Sequence, residues 1–205
     1  MTIQDMQPWA EALRSRGFAV ECFETGAEGA DWIFSRIREG ETVGVGGCQT
    51  VKETGLADRL RDAGYTVYWH WYVPGPVTLH QANTADVYLA SSNAITRGGE
   101  LVNIDGTGNR VAAIAYGPGR VYLLCGSNKL VDGGIPQAIA RIKREACPPN
   151  ARRLHRDTPC AATGHCDAAD CPHDQTMCNV TSVVDHPGTG RRSVTVVLCC
   201  EALGF

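Results

Sequence analysis

The sequence predicts an α/β fold with a mostly parallel sheet and helices on both faces, and three observations support this prediction. Apolar runs of strand length alternate with segments whose apolar residues recur at helical spacing, as far as Cys147. Such alternation is typical of parallel strands joined by helices that cover both faces of the sheet. Several strands also end in glycine and small polar residues, and the chain of 205 residues has the length of one domain.

Each predicted element has a local signature. Residues 4–16 carry apolar side chains at helical spacing from Met6 to Leu13, and Gly17 ends this helix. Pro136 lies in the first turn of a helix at 133–147, where its missing N–H costs no hydrogen bond. The other elements are predicted strands at 18–23, 41–47, 65–71, 85–92, 120–126 and 192–205, and predicted helices at 27–40, 48–64 and 78–84. The stretch 99–109 is a predicted strand that leads into a tight Gly/Asp/Asn loop.

The alternating pattern lapses after Cys147 and returns only with the last strand. We expect residues 148–192 to form a cysteine-rich insertion within a single domain that spans 1–205. The last strand then returns the chain to the sheet, so the insertion is expected to lie against the domain.

Composition excludes two classes of partner. The formal net charge is −3, which supplies no broad basic field for nucleic acid or anionic lipid. No segment approaches the roughly 20 apolar residues that span a bilayer, and the N-terminus has no positive start followed by an apolar run. We therefore expect a cytoplasmic protein without a membrane segment.

Polar loops follow several predicted strands, and ligands of open parallel sheets bind beyond the carboxyl ends of the strands. In the stretch GVGGCQTVKE (44–53), backbone N–H groups and the hydroxyl of Thr50 are placed to hold an anion such as phosphate or carboxylate. This stretch has neither a lysine at the P-loop position nor the P-loop spacing. A tight strand-to-helix turn explains it equally well. The candidate ligand-binding residues of the loops are Gly46, Gly47, Thr50, Asn93, Thr96, Asn103, Asp105, Asn109, Arg110, Asn128 and Lys129.

Two of these loops also have a structural interpretation. Asn and Asp build turns through local hydrogen bonds, which accounts for part of the polar segment 91–112. Lys129, at the mouth of the strand at 120–126, either balances an anionic ligand or is a solvated surface lysine.

Four cysteines lie within the stretch TPCAATGHCDAADCPHDQTMCN (158–179). They are Cys160, Cys166, Cys171 and Cys178, separated by five, four and six residues. A reducing compartment leaves such thiols free for metals, and four thiolates suit either a zinc ion or a [4Fe–4S] cluster. The irregular gaps favour the larger cluster, while reversible dithiol chemistry and the absence of any site are the remaining alternatives. His165 and His173 lie where an imidazole could replace a thiolate.

The other six cysteines are scattered among apolar residues, where a small buried side chain is the default interpretation. Cys48 is a partial exception because it opens a predicted helix, whose macrodipole lowers the pKa of a thiol. The six are Cys22, Cys48, Cys125, Cys147, Cys199 and Cys200.

Several of these stretches resemble the LUD-domain family, which is associated with bacterial lactate utilisation. The resemblance runs from about residue 5 to the end of the chain. It is carried by GVGGCQTVKETG (44–55), DVYLASSNAITRGGELVNIDGTGNRVA (86–112), GPGRVYLLCGSNKLV (117–131), the four-cysteine stretch and the terminal LGF (203–205). The CDAADC spacing departs from the family, whose second and third cysteines are usually closer together.

The resemblance implies a core similar to that of ribose phosphate isomerases and CoA transferases. By that analogy, Thr50, Asp105 and Lys129 take the positions of phosphate-binding, acidic and basic groups. The acidic DGxDE pattern of the isomerases is absent, which argues against isomerase chemistry. The family also implies iron–sulfur redox proteins as partners, and a homo-oligomer is a further candidate assembly.

Two functions follow from the sequence. The first is a redox-associated protein of the lactate-utilisation type, with an iron–sulfur cluster and a small anionic ligand at the strand ends. The second is a zinc-stabilised, non-redox domain, ligand-binding or transferase-like, for a phosphorylated or CoA-like ligand.

Overall fold

The structure is a computed structural model, and it describes residues 1–189 and 192–205. Residues 190 and 191, at the end of the predicted insertion 148–192, lie outside the described residues. Within the described ranges, no helix is both long enough and apolar enough to cross a membrane.

Helices and strands alternate over the first two thirds of the chain. The helices are α1 (Ile3–Ser15), α2 (Gly26–Phe34), α3 (Gln49–Glu53), α4 (Leu56–Asp62), α5 (Pro76–Thr84), α6 (Asn109–Ala115), α7 (Ile135–Arg141), α8 (Cys147–Arg153) and α9 (Pro159–Thr163). The strands are β1 (Ala19–Phe23), β2 (Thr42–Val45), β3 (Thr66–Trp69), β4 (Val87–Ala90), β5 (Ala94–Ile95), β6 (Leu101–Asp105), β7 (Arg120–Gly126), β8 (Val180–Val184) and β9 (Ser193–Cys199). A 3₁₀ turn follows β7 at Ser127–Lys129.

The main sheet has six parallel strands in the order β1-β9-β7-β4-β2-β3. Alternate residues of β7 face opposite sides, so Leu123 packs in one apolar core with α1 and α6, whereas Leu124 packs in another with α2 and α4. Helices therefore cover both faces of a parallel sheet. The predicted fold class is confirmed.

Local sequence explains where the helices begin and where one of them breaks. Thr2 with Asp5, and Thr25 with Glu28, form capping boxes that satisfy the free N–H groups at the starts of α1 and α2. The single helix predicted at 48–64 is wrong, because Gly55 adopts a left-handed φ of 66° and separates α3 from α4.

A second sheet, with three antiparallel strands in the order β5-β6-β8, was not predicted. Within 99–109, β6 ends at Asp105 and a tight turn follows, as predicted, whereas α6, which begins at Asn109, was not predicted. Residues 148–192, where the alternating pattern was expected to lapse, include most of α8 together with α9 and β8, and they precede the last strand as predicted. The small sheet packs on α7 and the residues after it to form a third apolar core.

The helix predicted at 133–147 extends to Arg153 and contains a wide turn. Ile142–Ala146 is a π-helical turn between α7 and α8. Pro148 and Pro149 follow at the start of α8, and proline lacks an N–H and clashes with the carbonyl group four residues earlier in a regular α-helix. A wider turn at this point relieves that clash and lets the helix continue.

A close approach between β2 and α5 provides a test of this packing. A Cβ atom added at Gly44 would lie 2.1 Å from the carbonyl oxygen of Ala82. We expect Gly44→Ala to lower the free energy of unfolding by about 3 kcal/mol, because the backbone of α5 must move. Urea denaturation followed by circular dichroism measures this loss.

The matched control is Gly119→Ala, since a Cβ atom there meets nothing within 4 Å in the described residues. Its effect should stay within about 0.5 kcal/mol. Equal denaturation midpoints for the two variants would contradict the packing of α5 on β2.

Candidate functional site

A polar cavity of about 330 Å³ opens at the carboxyl edge of the main sheet. Its walls come from the loops after β2, β3, β4, β6 and β7 and from α8 and the residues that follow it. This is the edge at which open parallel sheets bind ligands. Seven of the eleven candidate ligand-binding residues line it, namely Gly47, Thr50, Asn93, Asp105, Asn109, Arg110 and Lys129.

The remaining four candidates do not line the polar cavity; they are Gly46, Thr96, Asn103 and Asn128. Thr96 donates its hydroxyl to the carboxylate of Glu100 in the turn between β5 and β6. The side chain of Asn128 donates to the carbonyl oxygen of Gly204 and accepts from the N–H of Leu203, both at 3.1 Å. The side chains of Thr96 and Asn128 therefore stabilise the local loop structure.

Arg110 organises the polar residues at one end of the cavity. Its guanidinium is 8% exposed and donates to the side-chain oxygens of Asn103 at 2.7 Å and Asn93 at 2.9 Å. It also donates to the carbonyl oxygen of Ser91 at 3.2 Å and lies 3.4 Å from the carboxylate of Asp105. A buried guanidinium requires such partners, so much of this polar segment serves to bind Arg110.

Asp105 is held in a turn. One of its carboxylate oxygens accepts from the N–H groups of Thr107 at 3.2 Å and Gly108 at 3.0 Å, while the other faces Arg110. Local hydrogen bonding of this kind is what the structural interpretation of the segment predicts. Asp105 therefore shapes the wall of the cavity and leaves it with little free negative charge.

Lys129 is a buried lysine and not a solvated one, since it is 2% exposed. Its ammonium group donates to the carbonyl oxygen of Phe205, and the hydroxyl of Thr50 donates to that of Leu203 at 3.3 Å. Burial, aided by nearby Arg141, lowers the pKa of Lys129 to about 8. The 203–205 segment thus forms the wall of the cavity beside this lysine.

Several residues of the polar cavity were not predicted from the sequence, among them His70, Trp71, Arg153 and Arg156. His70 directly follows β3. The rule that ligands bind beyond the carboxyl ends of parallel strands, which pointed to the other loops, could therefore have identified it. Burial and then Arg153 lower the pKa of His70, which keeps its imidazole neutral at neutral pH. The guanidinium of Arg153 lies 4.6 Å from the ring of Trp71.

The charge of the cavity is positive. Arg110, Lys129, Arg153 and Arg156 line it, whereas Asp105 is the one acidic side chain among its described lining residues. Because Asp105 is already paired with Arg110, three cationic groups remain without a carboxylate in the wall. The electrostatics of the cavity suit an anion.

Cys48 does not have the activated thiol that its position before a helix suggested. It is 4% exposed, and burial raises the pKa of its thiol. The helix that follows, α3, has only five residues, so its macrodipole does not offset desolvation. Cys48 lines the polar cavity as a neutral thiol.

A second cavity, of about 220 Å³, is lined by cysteines, and we call it the cysteine cavity. All four cysteines of the predicted metal site line it: Cys160, Cys166, Cys171 and Cys178. Of the two candidate histidines, His173 lines this cavity and His165 does not. Among residues 1–189 and 192–205, no three His, Cys, Asp or Glu side chains converge closely enough to hold a single metal ion.

Cys147 is a fifth thiol in this cavity, although its position among apolar residues suggested simple packing. Its Sγ lies 3.4 Å from the Sγ of Cys178. A hydrogen bond from Cys147 lowers the pKa of Cys178, and Lys143 beside it acts in the same direction. Cys178 is therefore the thiol in this pair that ionises first.

The two cavities are neighbours. Cys147, Thr176 and Met177 line both of them, so these side chains form a shared wall. Val180, two residues after Cys178, pairs with Asp105 between β8 and β6. Cys178 and the Asp105–Arg110 pair are thereby connected through the same antiparallel ladder.

Comparison with known proteins agrees with this architecture. None of the curated proteins matches the chain. Among solved structures, the fold is similar to the crystal structure of a DUF162 family protein from Deinococcus radiodurans, with a TM-score of 0.52, 12% sequence identity and coverage of 96% of each chain. At that identity the likeness concerns the fold alone.

The family is established by sequence. The model of the LUD domain matches residues 6–199, which is nearly the whole chain. It covers the loops of the polar cavity and the segment that carries the cysteine cavity. The chain belongs to the LUD-domain family.

Proposed function

We propose that this protein is a redox-associated LUD-domain protein that binds a [4Fe–4S] cluster in the cysteine cavity and a small anionic ligand in the polar cavity. The single observation that carries the proposal is the shared wall of Cys147, Thr176 and Met177, which places a thiol-lined cavity directly beside a cationic one. A redox centre and a ligand site that act together need this proximity.

The residues of the cysteine cavity fit a cluster. Cys160, Cys166, Cys171 and Cys178 supply the four thiolates that a [4Fe–4S] cluster takes. All four line the wall of one cavity of about 220 Å³. When bound, such a cluster accepts and donates single electrons. Lys143 in the wall offsets part of the negative charge of the thiolates.

The polar cavity supports binding of a small anion. Arg153 and Arg156 come from α8 and the residues after it and Lys129 from the turn after β7, so a carboxylate or phosphate in the cavity would have cationic groups from two elements. Neutral His70 adds a group able to accept or donate one hydrogen bond. A hydroxy acid or a phosphorylated compound has the matching chemistry. Iron–sulfur redox proteins are the partners that this function requires.

The alternative is a zinc-stabilised, non-redox domain that binds a phosphorylated or CoA-like ligand. One observation favours it: the basic groups of the polar cavity are held by protein contacts, such as those of Arg110, that need no metal. In that case the metal only holds the 158–179 stretch in place. The identity of the bound metal, iron in a cluster or a single zinc ion, distinguishes the two functions.

Anaerobic purification tests the metal centre. We expect brown protein with about four iron and four sulfide ions per chain, since four thiolates hold one cubane. Iron and sulfide analysis with visible absorption measures this content. Cys160→Ser should lose most of the iron, because Cys160 is a buried cysteine of the cavity.

Cys125→Ser is the matched control, since Cys125 is buried outside the cysteine cavity and accepts a hydrogen bond from Ser92 that a hydroxyl also accepts. This variant should keep its iron. A colourless wild-type protein with one zinc ion per chain would favour the zinc-stabilised alternative instead.

Arg153 provides a test of the anion site. We expect Arg153→Gln to weaken the binding of inorganic phosphate or L-lactate about tenfold, since a charge-assisted hydrogen bond contributes roughly 1.5–3 kcal/mol. Isothermal titration calorimetry measures the affinity. Arg36→Gln is the control, because Arg36 also lies over a tryptophan, Trp32 at 4.9 Å, but does not line the cavity. Equal losses in both variants would show that the anion binds elsewhere.

The pH dependence of anion binding follows from Lys129. Its pKa is lowered to about 8, so its positive charge is complete well below that pH and is lost as the pH rises through it. Sulfate keeps a constant charge over this range, and we expect its affinity to fall as the pH rises past about 8. Calorimetric titrations above about pH 7 check this result. An affinity that stays constant to pH 10 would exclude Lys129 from the anion site.

A further inference from the structure

Cys147 combines three properties that a packing residue does not need. It lines both cavities, it is 5% exposed, and its Sγ lies 3.4 Å from the Sγ of Cys178. Thirty-one positions separate the two cysteines in the sequence, so the contact is created by the fold. It joins the start of α8 to the residues before β8.

Apolar side chains surround most of Cys147. It packs in the third apolar core beside Ile142 and Ala146, where a charge would be costly. Within the described part of the chain, Cys178 is the one hydrogen-bond partner of its sulfur. A protonated Cys147 therefore has a single acceptor for its S–H group.

Cys178 has a fixed position in the wall of the cysteine cavity. Its side chain is less buried than that of Cys147, and Lys143 lines the same cavity. Its backbone is fixed, because its N–H donates to the hydroxyl of Thr176 at 3.3 Å and the N–H of Asn179 donates to the carbonyl oxygen of Asp105 at 3.0 Å. Cys178 is thus held in place as an acceptor.

We propose that Cys147 is a positioning residue of the metal centre: when the sulfur of Cys178 is bound to the metal, it has no proton, so the contact at 3.4 Å is a hydrogen bond from the S–H group of Cys147, which is not itself a ligand. This inference rests on the proposed metal centre. The other four cysteines already supply the thiolates that a cluster takes. A hydrogen bond to a ligand sulfur withdraws electron density from the metal and makes the centre easier to reduce.

The test compares Cys147→Ala, which removes the donor, with Cys147→Ser, whose hydroxyl also donates. Both are reconstituted anaerobically beside the wild type and Cys125→Ser, the buried control outside the cysteine cavity. We expect all four proteins to hold the same iron per chain. We expect the reduction potential to become more negative in Cys147→Ala and to return to or above the wild-type value in Cys147→Ser.

Three results would overturn the proposal. Loss of iron in Cys147→Ala, with iron retained in Cys125→Ser, would make Cys147 a ligand. An unchanged potential in Cys147→Ala would make it a packing residue. A more negative reduction potential in both Cys147 variants would also count against a hydrogen bond, because the serine keeps the donor.

Cobalt(II) separates this inference from the proposed function. If the wild type assembles no cluster, the redox proposal fails, yet the thiols still bind cobalt when the site is a zinc site. The thiolate-to-cobalt charge-transfer band should then shift in Cys147→Ala and recover in Cys147→Ser. An identical band in all variants, or the absence of cobalt binding in the wild type, would overturn the role of Cys147.

Discussion

The need to satisfy one buried guanidinium determines much of this structure. Arg110 lies on α6 with almost no exposure, and a charge in that position is stable only when most of its N–H groups have acceptors. Its partners come from the loop after β4 and from β6 and the turn after it. These hydrogen bonds fix the small antiparallel sheet relative to the carboxyl edge of the parallel sheet. The polar cavity opens between the two, so the same hydrogen bonds fix one of its walls.

The small sheet carries this constraint to the cysteines. Strand β8 pairs with β6 along its whole length, and Cys178 lies two residues before that pairing begins. On the other side, the third apolar core joins the small sheet to the helical run that ends in α8, which brings in Cys147. The cysteine cavity is therefore built on the same framework as the polar cavity, and the three residues they share are a direct result.

The sequence predicts the parallel sheet and the edge at which the site lies, because strand ends such as GVGG and the residues around Asp105 have a strong local pattern. It predicts less well what those residues do, since Asn103 and Asp105 are bound by Arg110 and by their own turn. Local pattern also cannot reveal a contact such as that of Cys147 with Cys178. Nor does it reveal β8, whose residues are partly exposed on both faces and lack an apolar alternation.

The wide turn at Ile142–Ala146 has a consequence for how such a protein changes over evolutionary time. A π-helical turn contains one residue more than an α-helical turn, and each residue rotates an α-helix by about 100°. Deletion of one codon in this turn would carry Cys147 around the helix and away from Cys178 while leaving every strand of the parallel sheet untouched. The contribution of Cys147 to the wall between the two cavities thus depends on the one extra residue of this turn.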